Sequence, residues 1–440
     1  MSRPLRVAVV ARAVMPLHGT GGLERSVRDL VRHLAARDVD VTLITPEASP
    51  VAHRRPADPF GSPRIHLRHV PYRTFPLANR RGTTILDRST AYPLFGLRAG
   101  REALRLVQAR EIDIVHGFGA AVLGYARARR RQTTGDGRDA ALAPLVFNPQ
   151  GLEEFGATSR RLSRAKALGY LPLRVAVRAC ARAADAILAT DVSLESTVER
   201  HLRPRAGQLR TIPNGIDLVE ASGLAGPAEG RLVRQQYGIR ASDVVLLSVG
   251  RLEHNKGFDV LAAALGRAGR PDGPLAAAGW RWVIVGAGPY RAPLERAVEA
   301  AGLASHAIFV GRAAEADLHA WYEAATVFVH PSRYEGSSLV TLEAMAHRRA
   351  VIATTAGGLP DKVRPGVNGW LVEPDDAHAL AAAVEDAVVR GAHLPAMGAR
   401  SREIVERDFA WPVLADRTIA LYRELLEDGP PPAPADPRQA

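Results

Sequence analysis

Short β-branched runs alternate with Ala-, Leu- and Arg-rich stretches along the whole chain. That alternation predicts βαβ units and parallel sheets, an α/β fold. In the first half, strands are expected near Arg6–Ala11, Val41–Thr45, Ile65–Val70, Asp113–His116, Leu145–Asn148 and Ala186–Thr190. In the second half they are expected near Val244–Val249, Trp282–Val285, Ile308–Val310, Val327–His330, Val351–Ala353 and Trp370–Val372. The two halves share one layout, so the pattern reads as two similar sheets with a cleft between them.

Pro213-Asn214-Gly215 is a turn signal between the halves. It places a first domain at 1–205, a linker at 206–217 and a second domain at 218–410. A helix over Trp411–Glu427 follows the last strand, and the Pro-rich tail 428–440 reads as disordered. Ala221–Gly230 and Thr133–Gly137 read as flexible loops. A helix is expected over Glu24–Arg37. The opening MSRPLRVAVVARAV imitates a signal peptide, but Arg12 interrupts its apolar run, and a first strand explains it better. No stretch of about 18 uninterrupted apolar residues occurs, so no membrane span is expected.

Composition adds little to this: 440 residues, 47% hydrophobic and 24% charged, suit a two-domain globular enzyme. The one cysteine, Cys180, excludes an internal disulfide framework and reads as a small buried residue on a helix. The formal net charge of +12 raises nucleic acid, anionic lipid or a phosphorylated substrate as partners. Aromatics are only 5%, and no zinc finger, RNP-type motif or basic helix pair supports nucleic acid. The chain has 58 Lys and Arg, of which only Lys166, Lys256 and Lys362 are lysines. Such a bias reads as a general preference for Arg, and it makes each lysine more informative. Arg160–Arg182 intersperses basic residues with Leu168, Leu171, Val175 and Ala179, and Pro172 breaks or kinks it. It reads either as a domain helix with solvated arginines or as a contact to a membrane surface.

The strongest chemical signal is PSRYEGSSLVTLEAMA, Pro331 to Ala346, which follows a strand and leads into a helix. On one helix, Glu335 and Glu343 would lie about 80° apart. Glu335 is instead expected in the Gly-Ser loop and Glu343 on the helix. The N–H groups of Gly336–Val340 then form an anion site at a helix N-terminus, suited to a diphosphate. Arg251 and Lys256 lie just past the first strand of the second half, where such a sheet opens its crevice. Fixed cations there would stabilise a departing pyrophosphate. The Gly21-Gly22 pair follows the first strand, and on its own is weak evidence for a phosphate loop. Gly286 and Gly288 read as a strand-end turn. His116 is expected to end its strand and project at the cleft, or else to be a packed core histidine. His18, His254 and His330 carry weaker signals. The Asp38-Val39-Asp40 triplet reads as surface punctuation, and no Cys/His cluster has metal-ligand spacing.

The Glu-x7-Glu motif, the following EAMA, VGRLEHNKG at Val249–Gly257, IVGAGP at Ile284–Pro289, FVGR at Phe309–Arg312 and PNGID at Pro213–Asp217 occur in a telling order. With Gly21-Gly22-Leu-Glu24 and Asp113-Ile-Val-His116, they resemble the retaining family 4 glycosyltransferases of the GT-B fold. The resemblance implies two Rossmann-like domains facing across a cleft, with the C-terminal helix returning to the first. It implies a hexosyltransferase acting on a UDP- or GDP-sugar and a glycan, glycolipid or lipid-linked acceptor, in cell-envelope polysaccharide synthesis. Glu335 would hold the transferred sugar and Glu343 the ribose. Arg251, Lys256 and the N–H groups near Ser338, Leu339 and Val340 would hold the diphosphate. Gly21 and Gly22 would cover the phosphates, and His116 would contact the sugar near its reacting carbon. Val310 and Arg312, by their place after a strand end, would flank the base. The nucleotide-sugar is a substrate, so no cofactor and no metal are expected. The expected location is the cytoplasm, up to the inner membrane face. A sugar-nucleotide epimerase or a phosphorylase of the same architecture stays open as an alternative, as does a basic nucleic-acid-binding protein.

Overall fold

The computed structural model describes residues 3–19, 21–47, 59–73, 83–132, 142–155 and 168–427. The chain forms two compact units, one of Met1–Pro213 with Leu414–Ala440 and one of Asn214–Val413. Each unit is built on one parallel sheet.

The first sheet contains β1 (Arg6–Val10), β2 (Asp40–Thr45), β3 (Ile65–His69), β4 (Ile114–Phe118), β5 (Leu145–Asn148), β6 (Ala186–Ala189) and β7 (Leu209–Thr211). Their order across the sheet is β3-β2-β1-β4-β5-β6-β7. The second contains β8 (Val244–Val249), β9 (Trp280–Val285), β10 (Ala307–Gly311), β11 (Val327–His330), β12 (Ala350–Thr354) and β13 (Gly369–Val372). Its order is β10-β9-β8-β11-β12-β13. Chain direction across each sheet reverses once, between β1 and β4 and between β8 and β11. A doubly wound sheet opens a crevice beyond the carboxyl ends of its strands at such a point.

The central strands are apolar on both faces because both faces are covered. In β8, Leu246 packs into one core and Val245, Leu247 and Val249 into the other. In β9, Trp282 and Ile284 face the first core while Val283 and Val285 face the second. Successive side chains on a strand point to opposite faces, so each strand serves both cores.

Several expectations need correction. β7 lies inside the stretch read as linker; at three residues it is too short to carry a pattern. Ala221–Gly230 is not a loop: it is spanned by helices Leu218–Leu224 and Pro227–Gln236. Asp217 caps the first of these, accepting from Val219 N and Glu220 N, both at 3.1 Å. The first long helix runs Gly22–Ala35, starting earlier than expected. Pro172 does not kink its helix but opens it, at the first turn of Leu171–Ala183, where a missing N–H costs nothing. β4 starts one residue later than expected and runs on to Phe118, while the Asp113 carboxylate accepts from Arg6 N and Nε at 3.0 and 3.2 Å. Thr133–Gly137, the start of Arg160–Arg182 and the tail 428–440 lie outside the described residues.

From Leu414 onward the C-terminal helix packs with the first unit. Tyr422 Oη and His116 Nδ1 share a hydrogen bond of 2.6 Å in that unit's core. Tyr422→Phe leaves His116 without this buried partner. It is expected to lower the unfolding free energy by about 1–3 kcal/mol in chemical denaturation; an unchanged midpoint would show that the bond contributes nothing.

Candidate functional site

The site is built at the β8/β11 reversal. After β8 the chain turns through His254–Lys256 and Gly257 into the helix Phe258–Ala268. Gly257 has φ 67°, and a Cβ there would sit 1.9 Å from Pro331 O, so only glycine lets this turn pack on the next loop. After β11 the loop Pro331–Glu335 lies on that turn. Arg333 N donates to Asn255 O at 2.8 Å, and Arg333 Nη1 to His254 O at 2.6 Å. Arg333 also makes a two-pronged pair with Asp259 at 2.7 and 2.8 Å. Thr354, at the end of β12, donates to Ser332 O at 2.6 Å. Gly357, φ 53°, brings its backbone so close that a Cβ would meet Glu335 O at 1.7 Å. The loop is therefore held by the turn after β8, by the end of β12 and by the backbone at Gly357.

This clamp brings Lys256 and Glu335 together. Lys256 Nζ donates to Glu335 Oε2 at 2.6 Å, with the two side chains 13% and 11% exposed. His330 Nε2 donates to the same oxygen at 2.6 Å and Ser332 Oγ at 3.1 Å. All three converge on Oε2, and Oε1 has no hydrogen-bond partner among the described residues. Burial pushes the Glu335 carboxyl up, but the Lys256 charge and the hydrogen bonds from His330 and Lys256 outweigh it. The group is held ionised, well below the usual carboxylate range. Burial lowers His330, so it donates as a neutral ring and Lys256 supplies the charge.

Directly after Glu335, the helix Leu339–Ala346 begins, with Ser338 at its N-cap. Ser338 does not cap with its side chain; its Oγ accepts from Thr341 Oγ1 at 2.9 Å instead. The N–H groups from Gly336 to Val340 donate to no acceptor among the described residues. The buried Ser337 Oγ has no partner either. Unspent donors at a helix start, beside a lysine, form a site for an anionic group.

Among the described residues, none of the other sequence-flagged side chains hydrogen-bonds the Glu335 carboxylate. Glu343 is on the helix, 4% exposed, and accepts from Tyr322 Oη at 2.7 Å. Arg251 is 74% exposed and pairs with Glu253 at 2.8 Å. Val310 lies within the edge strand β10, packed against the core, and not after the strand end as expected; Arg312 follows the strand and is exposed. Gly286 and Gly288 press on the backbone of Gly250 and Leu252, a tight strand-end turn. In the first unit, Gly21 is the extended N-cap of its helix, and the Glu24 carboxylate fills the space above it. His116 does not end its strand or project outward. It is 2% exposed in mid-strand, stacked on Phe118 at 4.8 Å. Arg64 ties down both Asp38 and Asp40, at 3.0 and 2.8 Å. Among the described residues, no group of three or more His, Cys, Asp or Glu could hold a metal ion.

Residues 20–220 match the family described as Glycosyltransferase Family 4, and residues 243–389 match Glycosyl transferases group 1. The chain belongs to the family 4 glycosyltransferases. A GDP-mannose-dependent phosphatidylinositol monomannoside mannosyltransferase of Mycolicibacterium smegmatis is 31% identical over 52% of this chain and 62% of its own length. The chain thus spans less than two thirds of that relative. An alpha-maltose-1-phosphate synthase from the same organism is 29% identical over 76% of this chain and 87% of its own. A sucrose-phosphate synthase from Thermosynechococcus elongatus superposes with a TM-score of 0.72, at 26% identity over 97% of this chain and 100% of that one. Anabaena HepE, solved with UDP and glucose, gives 0.67 at 19% identity over 96% and 100%. This glycosyltransferase has the GT-B fold, with its two parallel-sheet units.

Two of the buried histidines, His116 and His330, predict an acid-sensitive fold. Burial pushes His116 down to about 3 and also lowers His330. Their folded values lie below the ordinary 6.5, so the unfolded rings take up protons that the folded rings refuse. Stability is then full above that value and falls as pH drops below it, by about 1.4 kcal/mol per pH unit for each histidine. His116→Gln is expected to flatten the slope of unfolding free energy between pH 6 and pH 4. An identical slope in both proteins would contradict the burial of an ionisable ring there.

Proposed function

We propose that the chain is a retaining glycosyltransferase that moves a hexose from a UDP- or GDP-sugar to an acceptor hydroxyl, without a metal ion. The observation that carries this reading is the ionised Glu335 beside Lys256 and the open N–H groups of Gly336–Val340. The diphosphate rests on the helix start, with Lys256 stabilising the charge that develops on it. Glu335 Oε1 accepts from hydroxyls of the transferred sugar and fixes its orientation. Glu343, oriented by Tyr322, takes the ribose hydroxyls. Arg251 swings from Glu253 to the phosphates when the donor enters. The new bond forms from the acceptor oxygen to the anomeric carbon on the face from which the diphosphate leaves. The acceptor proton passes to the departing phosphate oxygen. The Asp38–Asp40 pair is spent on Arg64, which fits a reaction that uses cationic side chains in place of a metal. UDP and GDP both appear among the ligands and donors named for the similar proteins.

Isothermal titration in EDTA tests the donor site. One of UDP, GDP and ADP is expected to bind wild type, and Lys256→Ala to weaken it at least tenfold, about 1.4 kcal/mol. Equal binding to both proteins would remove Lys256 from the site.

The acceptor, on this reading, is a glycan or a lipid-linked precursor reached at a membrane surface. Support comes from the helix Leu171–Ala183, which buries Leu173, Ala176, Val177 and Cys180. The stripe of Leu168, Leu171 and Val175 stays 72%, 49% and 58% exposed. Such a stripe on a chain of net charge +12 suits an anionic bilayer surface. Among the described residues no helix is long and apolar enough to cross a membrane. Wild type is expected to sediment with phosphatidylglycerol vesicles, and Val175→Glu to stay in the supernatant. Failure of wild type to sediment would refute the contact.

A further inference from the structure

Lys362 is one of only three lysines in this arginine-rich chain, and no step of the proposed transfer uses it. It is fully buried, at 0% exposure. A lysine in such a place has to anchor an ammonium group with three donors and a full charge. Its Nζ donates to Gly358 O at 2.9 Å and lies 5.4 Å over the Phe409 ring. The ring face attracts the cation and helps to hold it there. The backbone of Lys362 is fixed as well. Its N–H donates to Leu359 O at 3.0 Å, and its carbonyl accepts from the buried Asn368 Nδ2 at 3.1 Å. A methionine would fill the same space with no charge to desolvate, so packing alone does not call for a lysine here.

The carbonyl that Lys362 grips belongs to the turn that covers the loop after β11. Gly357 lies so near Glu335 O that a Cβ would stand 1.7 Å from it, and Gly358 N donates to Gly336 O at 3.4 Å. Glu335 and Gly336 begin the segment of open N–H groups that leads into the helix Leu339–Ala346. Two hydrogen bonds therefore link the buried ammonium to the start of the anion site, through Gly358 to Gly336. The charge of Lys362 reaches the same place. Burial is the main cause that lowers His330, and the Lys256 and Lys362 charges lower it further. Lys362 thus lies within electrostatic reach of the ring that donates to Glu335.

We propose that Lys362 is a positioning residue of the donor site: by holding the Gly357–Gly358 turn against Glu335 and Gly336, it sets the N–H groups of Gly336–Val340 for the diphosphate before the donor arrives. Groups fixed in advance lose less freedom on binding, so the affinity gained from the diphosphate depends on this lysine, although it touches no atom of the ligand. An arginine would not serve as well, because its planar fork of five donors needs more partners than one carbonyl and one ring. The inference rests on reading that helix start as the diphosphate site.

The test is isothermal titration of the full chain in EDTA with UDP, GDP and ADP, and with uridine, guanosine and adenosine as their counterparts. The quantity read is the gain in affinity of the diphosphate over its own nucleoside. Lys362→Met is expected to lower that gain at least about tenfold while nucleoside binding stays as in wild type. Lys362→Gln, one bond shorter and uncharged, is expected to fall between the two. Thermal unfolding on the same samples separates positioning from packing. A lower unfolding temperature with an unchanged diphosphate gain would make Lys362 a packing residue and overturn the proposal. Equal losses of nucleoside and diphosphate would overturn it too. If Lys362→Met does not fold, Lys362→Gln decides alone: a gain equal to that of wild type overturns the proposal. A wild-type gain that neither variant alters takes down only this inference. A wild type that gains nothing from the diphosphate takes down the donor-site reading itself.

Discussion

The candidate site depends on one carboxylate kept charged where water is nearly absent. Glu335 is desolvated, and burial alone would favour its neutral form. Lys256 and His330, both at 2.6 Å on Oε2, reverse that preference. Each component comes from a different segment: the turn after β8, the last residue of β11 and the loop beyond it. The sheet register, the Arg333–Asp259 clamp and the two glycines at 257 and 357 are what bring these segments within hydrogen-bond distance. Removing one charge from such a pair leaves the other buried alone, which costs far more than losing an exposed ion pair.

The same geometric rule applies twice in this chain. Both sheets reverse direction between their first and fourth strands, and both carry cationic side chains beyond that point. In the second unit the cation is Lys256, matched to Glu335 and flanked by open N–H groups. In the first it is Arg12, which lies over the Tyr92 ring in a cavity that Glu154 also lines. Strand order thus decides where ligands can bind, and a few side chains decide which.

Much of the fold was legible because buried parallel strands are nearly continuous apolar runs, and all but β7 stood out. β7 has three residues and half-buried side chains, too little for any period to show. Helices Leu218–Leu224 and Pro227–Gln236 were missed because Gly and Pro at their ends look like loop composition; in fact they are capping and first-turn residues. At the site, the placement of Glu335 in a loop and Glu343 on a helix followed from the Gly-Ser segment. The contribution of His330 did not, because its hydrogen bond depends on how the loop folds back over the strand end. Ser332, Arg333 and Asp259 were missed for the same reason: their partners are distant in sequence. The exposure of Leu168, Leu171 and Val175 was also hidden, since an apolar stripe on a helix looks the same whether it faces a core or solvent.

A double-mutant cycle on nucleotide-sugar binding tests the central claim most directly, using Lys256→Ala, Glu335→Gln and the pair. If the two groups act as one unit, each single change removes nearly as much affinity as both together. Losses that simply add would mean that Lys256 and Glu335 act independently, and the account of the site would be wrong.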